Sequence, residues 1–292
     1  MTPCHVVQIE TPKKYLLNGL WFGPKYPKRV IVWVHGLGSS AFSMGNIAHM
    51  LPDGGTAVLA FNNRGHDVVA NLSKKSSSSE KKPKRILAGA AHEKFADCVD
   101  DIQGAVNFAR SAGVKNVFIA GHSTGCQKSI YWAHKKKMKG VKGIILLAPV
   151  NDYAGALAWH GRARVLRATK FARALVKRGR PHELLPASIW NEEGDDAQRF
   201  LSLYTPDSAE NIFPYNDPKK NPRILRSVKG SLLVLWAGKD EYADRPAEGI
   251  AGWFKTERPA ARVVVVPDVG HSFKGGETSV LRAIKNFIDP NN

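Results

Sequence analysis

The sequence predicts an α/β fold: an eight-stranded, mostly parallel sheet flanked by helices, with a helical lid or cap insertion. Three observations carry this. Short Val- and Ile-rich runs are apolar throughout, as strands buried on both faces are. Helical patterns alternate with those runs. One stretch, 151–229, breaks the alternation and far exceeds the roughly 2–6 residues of an ordinary connection.

The elements follow in order. Strands are expected at 4–9, 15–22, 29–34 and 56–61, then at 116–121, 143–149, 230–237 and 261–266. Helices are expected at 41–51, 91–111, 125–138 and 276–288. Residues 1–150 and 230–292 thus read as one core domain, and 151–229 as the lid. Residues 71–85 are rich in Ser and Lys and lack apolar side chains after Leu72, so they read as a mobile loop. The Lys-Lys-Pro-Lys-Arg string within them also fits a nuclear address, but a solvated loop needs the same residues.

Within the lid, 161–178 reads as an amphipathic helix. Val165, Ala168, Ala172, Leu175 and Val176 share one face; Arg164, Arg167, Lys170, Arg173, Lys177 and Arg178 crowd the rest. Such a helix can lie on a membrane. The reading adopted is a lid, apolar side down over a site.

The chain has 292 residues and a formal net charge of +18, from 43 basic and 25 acidic side chains. The positive charge is spread over the Ser/Lys-rich loop, the lid and several helix ends. It forms no zinc finger, RNA-recognition signature or Walker loop, so no specific nucleic-acid partner is expected. No apolar run approaches the roughly 20 residues that span a bilayer. The N-terminus lacks the basic-then-apolar pattern of a secretory signal. Cys4, Cys98 and Cys126 form no disulfide framework or zinc spacing and read as small buried hydrophobes. A reducing cytoplasm is the expected compartment, with no metal or organic cofactor. No feature specifies an oligomeric state.

The sharpest motif is Gly121-His122-Ser123-Thr124-Gly125, which matches G-x-S-x-G. An apolar strand runs into it and a helical pattern follows. A strand-to-helix turn this tight strains the serine backbone and leaves no room for a Cβ at Gly121 or Gly125. It also puts the hydroxyl at the positive end of the next helix. Ser123 is therefore the expected nucleophile.

A serine hydroxyl needs a base, and the base an orienting carboxylate. His271 follows the last strand and precedes the last helix, behind Gly270. Asp240 stands where the seventh strand gives way to a loop. These are the expected base and acid, with Glu241, Asp244 and Asp268 as carboxylates that could replace Asp240. His35-Gly36-Leu37-Gly38 follows the third strand directly. Gly36 and Gly38 allow close backbone approach, so the N–H groups of Leu37 and Thr124 are the expected oxyanion donors. His35 and His122 read as structural. His66 reads as part of the loop after the fourth strand.

With these motifs in hand, the chain resembles the α/β-hydrolase superfamily over nearly its whole length. It is similar in detail to the DUF1749 family at Gly121–Gln127, Phe95–Ile102, Arg199–Tyr204 and Asp240–Tyr242. That family includes fungal esterases that open siderophore esters, so the resemblance implies an ester substrate of some polarity. Two positions depart from the family's usual pattern. Lys128 stands where an Asp often follows Gly-Cys-Gln, and Ala243-Asp244 stands where Val-Pro often follows Asp-Glu-Tyr.

The expected function is cleavage of a small-molecule carboxylic ester through an acyl-enzyme. A thioesterase or peptidase shares the same machinery. A non-catalytic protein of this fold that binds anionic partners is the reading from a different class. Trp159, Trp190 and Tyr215 of the insertion are candidate pocket residues, and the lid's arginines are candidate attractors of an anionic ester.

Overall fold

A computed structural model describes residues 2–43, 45–76, 82–190 and 194–289. Among these residues, ten strands make one sheet: β1 Cys4–Glu10, β2 Tyr15–Phe22, β3 Arg29–Val34, β4 Thr56–Phe61, β5 Ala70–Lys74, β6 Lys84–Ala88, β7 Asn116–His122, β8 Gly143–Leu147, β9 Ser231–Ala237 and β10 Arg262–Val266. The order is β10-β9-β8-β7-β3-β4-β2-β5-β6, with β1 on the free edge of β2. The strands from β4 through β10 along this order are parallel, and β1, β2, β5 and β6 are antiparallel. The continuous apolar runs are buried as their composition requires: β4 and β8 have no exposed residue.

The helices are α1 Gly45–Ala48, α2 Cys98–Ser111, α3 Thr124–Lys136, α4 Asp152–His160, α5 Arg162–Lys177, α6 Ala197–Tyr204, α7 Arg223–Ser227, α8 Ala247–Glu257 and α9 Glu277–Ile288. Two apolar layers lie on the two faces of the sheet. One packs Ile102, Val106, Ile130, Trp132, Ile250 and Phe254 of α2, α3 and α8 against it. The other packs Ile47 of α1 and Val280 and Ile284 of α9. A third, smaller cluster joins Val165, Ala168, Ala172 and Leu175 of α5 to Trp190 and to Phe200 of α6, and lies wholly between β8 and β9 in the chain.

Several sequence expectations need correction. The sheet has ten strands, not eight, because residues 71–85 carry the ends of an antiparallel hairpin. Its strands show the Lys-rich, solvent-facing character of a sheet edge. Two buried residues, Ala70 and Leu72, anchor β5, so the apolar signal was too thin to read as a strand. The centre of that expected loop, 77–81, lies outside the described residues.

The helix expected at 41–51 shrinks to the single turn of α1. Its first turn is lost where the Ser40 amide bonds the Ser43 hydroxyl, a side-chain competitor for backbone hydrogen bonds. The helix expected from 91 starts at Cys98, after two 3₁₀ turns. Helix α8 was missed although Ala247, Ile250, Ala251 and Phe254 hold its buried face. On α5, Val176 is exposed rather than buried, and Cys4 is exposed while Cys98 and Cys126 are buried. Among the described residues, no helix is long and apolar enough to cross a membrane.

A chain of buried charges crosses from the sheet layer to the β8–β9 segment. Lys128 of α3, fully buried, pairs with Glu93 at 2.7 Å. Glu93 also meets Arg199 of α6 at 3.2 Å, and Arg199 pairs with Glu210 at 2.7 Å. Ser202 donates its hydroxyl hydrogen to Glu210. Burial pushes Glu93 up, but Lys128 and Arg199 outweigh it and hold its carboxyl below the usual range. The Lys128 departure from the family pattern thus has a partner.

Removing one member of such a set leaves a buried charge uncompensated. Lys128→Met is expected to destabilise the fold by about 3–5 kcal/mol. Urea unfolding followed by tryptophan fluorescence checks this; a midpoint within error of wild type would overturn it. Because the Glu93 carboxyl is held low, its contribution is present above its unfolded-state range and fades as pH falls through its folded value.

Candidate functional site

The site grows from the turn between β7 and α3. Ser123 caps α3 with φ 55° and ψ −128°, a left-handed backbone on a non-glycine residue. Such a conformation costs roughly 1–3 kcal/mol and persists only where its surroundings impose it. The surroundings do so by contact. A Cβ on Gly121 would collide with the Gly125 backbone, and one on Gly125 with the carbonyls of Val34 and His35 at the end of β3. The Ser123 amide bonds the Leu147 carbonyl of β8 at 3.0 Å. Cys126 Sγ, buried beneath, approaches the Gly121 carbonyl at 3.1 Å.

The loop after β3 passes directly over this turn. A Cβ on Gly36 would stand 2.9 Å from Ser123 Cβ. Gly38 adopts φ 58°, which turns the chain away again. His35 holds the loop from below: its Nδ1–H donates to the Gly36 carbonyl at 2.8 Å, and its Nε2 accepts the Asn63 amide at 3.2 Å. Burial, with Lys128 nearby, drives its pKa down to about 3, so it stays neutral and keeps both bonds. The backbone amides of Leu37 and Thr124 carry no hydrogen bond within the chain, among the described residues.

The strand ends β9 and β10 supply the other partners. His271 Nδ1–H donates to Asp240 Oδ2 at 2.9 Å, with Oδ1 at 3.1 Å. This bond sets the tautomer and leaves the Nε2 lone pair as the ring's acceptor. Asp240 is itself held: its Oδ1 accepts the Tyr242 amide at 3.0 Å.

The other carboxylates considered have different partners. Glu241 accepts the His271 backbone N–H at 2.8 Å. Asp244 pairs with Arg245, and Asp268 with Lys239 on the surface. His122 donates from Nε2 to the His271 carbonyl at 3.0 Å, and burial beside His271 drives its pKa to about 3. His66 lies in the loop after β4, where its Nδ1–H donates to the Asn63 carbonyl.

Ser123, His271, Leu37 and Thr124 line one cavity of about 310 Å³. The β8–β9 segment closes its other side with Asn151, Asp152, Trp159, His160, Asp195 and Tyr204. Trp159 stacks on Tyr242, and Tyr242 packs edge-on against His271, with ring centres 4.9 and 4.7 Å apart.

Of the three candidate pocket residues, only Trp159 lines the cavity. Trp190 is buried behind the wall, packed against Phe200, Tyr204 and His160. Tyr215 is buried below it, where its hydroxyl accepts the Asn151 amide at 2.9 Å. Both were drawn inward by their bulk, and each positions a lining residue without reaching the cavity.

Sequence reasoning missed the acidic character of this cavity. Asp152 and Asp195 line it, and no Lys or Arg does among the described residues. The basic residues of α5 do not line it; Arg164, the half-buried one, lies over the Trp190 ring behind the cavity wall. Gln127 Nε2 donates to Asp152 Oδ2 at 2.8 Å. Burial, then Glu210, raises the Asp152 pKa to about 7. No motif flags Asp152; it is the first residue of α4, brought to the cavity by the chain's exit from β8.

Solved structures of the α/β-hydrolase fold match the chain from end to end. The α/β hydrolase GrgF from Penicillium sp. sh18 matches with TM-score 0.65 and 17% identity over 99% of this chain and 98% of its own. Est1E from Butyrivibrio proteoclasticus, solved with ferulic acid bound, matches at 0.61 and 16% over 97% of each chain. The Pyrococcus furiosus esterase Pf2001 matches at 0.57 and 16%, over 98% of this chain and 92% of its own. No curated protein matches the sequence. The family described as "Protein of unknown function (DUF1749)" matches residues 90–251, more than half the chain. That stretch holds the turn at Ser123, the Asp240 loop and the buried charges around Lys128, and with it the chain belongs to the DUF1749 family, on an α/β-hydrolase fold.

Proposed function

We propose that the protein is a serine hydrolase that cleaves carboxylic esters through an acyl-enzyme, with residues 151–229 as the cap over its site. One observation carries this reading: His271, hydrogen-bonded to Asp240, lines one cavity with a strained Ser123 and two uncommitted backbone amides. His271 Nε2 takes the Ser123 proton as Oγ attacks the ester carbonyl. The Leu37 and Thr124 amides hold the oxyanion. His271 then gives the proton to the leaving alkoxide, and water repeats the sequence to release the acid. Asp240 stabilises the imidazolium. The name of the Pyrococcus furiosus esterase Pf2001 supports the reaction class.

The cavity's charge bears on the substrate. Asp152 and Asp195 disfavour a carboxylated ester, although the whole chain is strongly basic. A neutral ester, or one carrying a hydrogen-bond donor or an amine, fits that lining. The proposal therefore departs from the anionic substrate that the cap's arginines imply by composition.

Two measurements test these points. Ser123→Ala is expected to lower kcat for p-nitrophenyl butyrate by at least ~10³-fold and Asp240→Asn by about 10⁴-fold, with both variants folded. Retained turnover in Ser123→Ala would overturn the mechanism.

Separately, the ratio of kcat/KM for a cationic over a neutral ester is expected to rise as pH increases through about 7, where Asp152 acquires its charge. The ratio removes the titration common to both substrates. A flat ratio, or a ratio unchanged in Asp152→Asn, would show that Asp152 does not select charge.

A further inference from the structure

Away from that cavity's serine, three potential metal ligands converge between the sheet layer and the β8–β9 segment. His92 ends the 3₁₀ turn Ala90–His92 after β6. His182 follows α5, and Asp196 caps α6. His92 Nδ1 stands 3.1 Å from Asp196 Oδ2, and His182 Nδ1 stands 2.9 Å from the same oxygen. One donor atom from each residue lies within 4.8 Å of the other two.

We propose that His92, His182 and Asp196 form a binding site for a divalent transition-metal cation of the zinc class, which ties the β8–β9 segment to the core. The donor set is right: two imidazoles and one carboxylate suit Zn²⁺ with a water as fourth ligand. Donors roughly 2.0–2.1 Å from a tetrahedral Zn²⁺ stand roughly 3.3 Å apart. The two Asp196–histidine distances open by a few tenths of an ångström to reach that spacing, and the two imidazoles, within 4.8 Å of each other, draw together around the ion.

The carboxylate is pre-oriented. Asp196 is fully buried, and its Oδ1 accepts the Arg199 amide at 2.7 Å, which leaves Oδ2 for the histidines. This is the outer-shell support that metal carboxylates ordinarily have. Its backbone is fixed too: the Asp196 amide bonds the Ala91 carbonyl at 3.0 Å, one residue before His92.

Access completes the argument. The His182 side chain is 47% exposed and that of His92 17%, so a solvent path reaches the donors while the carboxylate stays enclosed. The ion would link parts of the chain that are far apart in sequence, and binding only the folded arrangement would stabilise it. The neighbouring Asp195 lines the substrate cavity, so the tie sits directly behind the cavity's rim.

The test uses the full-length, untagged protein, stripped with chelator. Zn²⁺ alone is titrated against a chromophoric competitor and, in parallel, against thermal unfolding. The expected result is one Zn²⁺ per chain and a Tm that rises with added Zn²⁺. His182→Ala, at the most exposed ligand, is expected to weaken binding by at least ~10-fold and abolish the Tm rise while circular dichroism stays native. His92→Gln serves as the second arm. Equal binding in wild type and both variants would mean an adventitious surface site only, and would overturn the proposal. No binding by wild type would also overturn it, and would leave the cluster as a hydrogen-bonded hub in which both imidazoles donate to Asp196. Neither readout depends on esterase turnover, so the outcome stands apart from the proposed reaction.

Discussion

Backbone touches backbone where β7 turns into α3, and the site depends on that contact. Gly121 lies against Gly125, and Gly125 against the last carbonyls of β3. No side chain intervenes, so the helix starts within van der Waals distance of two strand ends. Ser123 has only one conformation compatible with this, at positive φ. The strain is held by the ladder around it: Ser123 bonds β8, and β7 pairs with β3 on one side and β8 on the other. Because β3 ends at the same level, its loop is delivered over the serine, and Gly36 is the residue that fits there.

A second constraint runs sideways from that helix. Lys128, one turn into α3, is fully buried and answered by Glu93, Arg199 and Glu210 in succession. Buried ion pairs add little net stability over apolar packing, but each member requires the others. Here they require α3 of the core and α6 of the β8–β9 segment to meet in one arrangement. The His92–Asp196–His182 cluster lies on the same boundary. The cavity wall that carries Asp195 and Tyr204 is thus joined to the core by polar groups.

Charge is divided unevenly between surface and site. The chain as a whole carries +18, yet the cavity is lined by two aspartates and no lysine or arginine among the described residues. The basic residues lie mainly on exposed faces such as that of α5, and a few are consumed in buried pairs. Net charge describes what the surface attracts at long range. It says nothing of the few groups that meet a bound molecule.

What the sequence alone determined was local. Apolar runs of Val and Ile announce buried strands because nothing else in a folded chain demands such continuity. Gly121, Ser123 and Gly125 announce a turn because their spacing leaves no space for larger residues. Asp240 and His271 could be chosen from position at strand ends, and in the structure they bond each other.

The edge hairpin of β5 and β6 was not legible, since a solvated edge strand and a loop share one composition. Trp190 and Tyr215 looked like pocket residues because bulk and aromaticity do not say which side of a wall a ring will take. Asp152 and the partners of Lys128 were invisible for another reason. Glu93, Lys128, Arg199 and Glu210 are scattered along the chain and become neighbours only when α6 packs against the Ala90–His92 turn and Arg199 meets Glu93, the partner of Lys128 in α3. Sequence periodicity reports what a residue does within its own element; which distant charge it will answer is decided by tertiary packing alone.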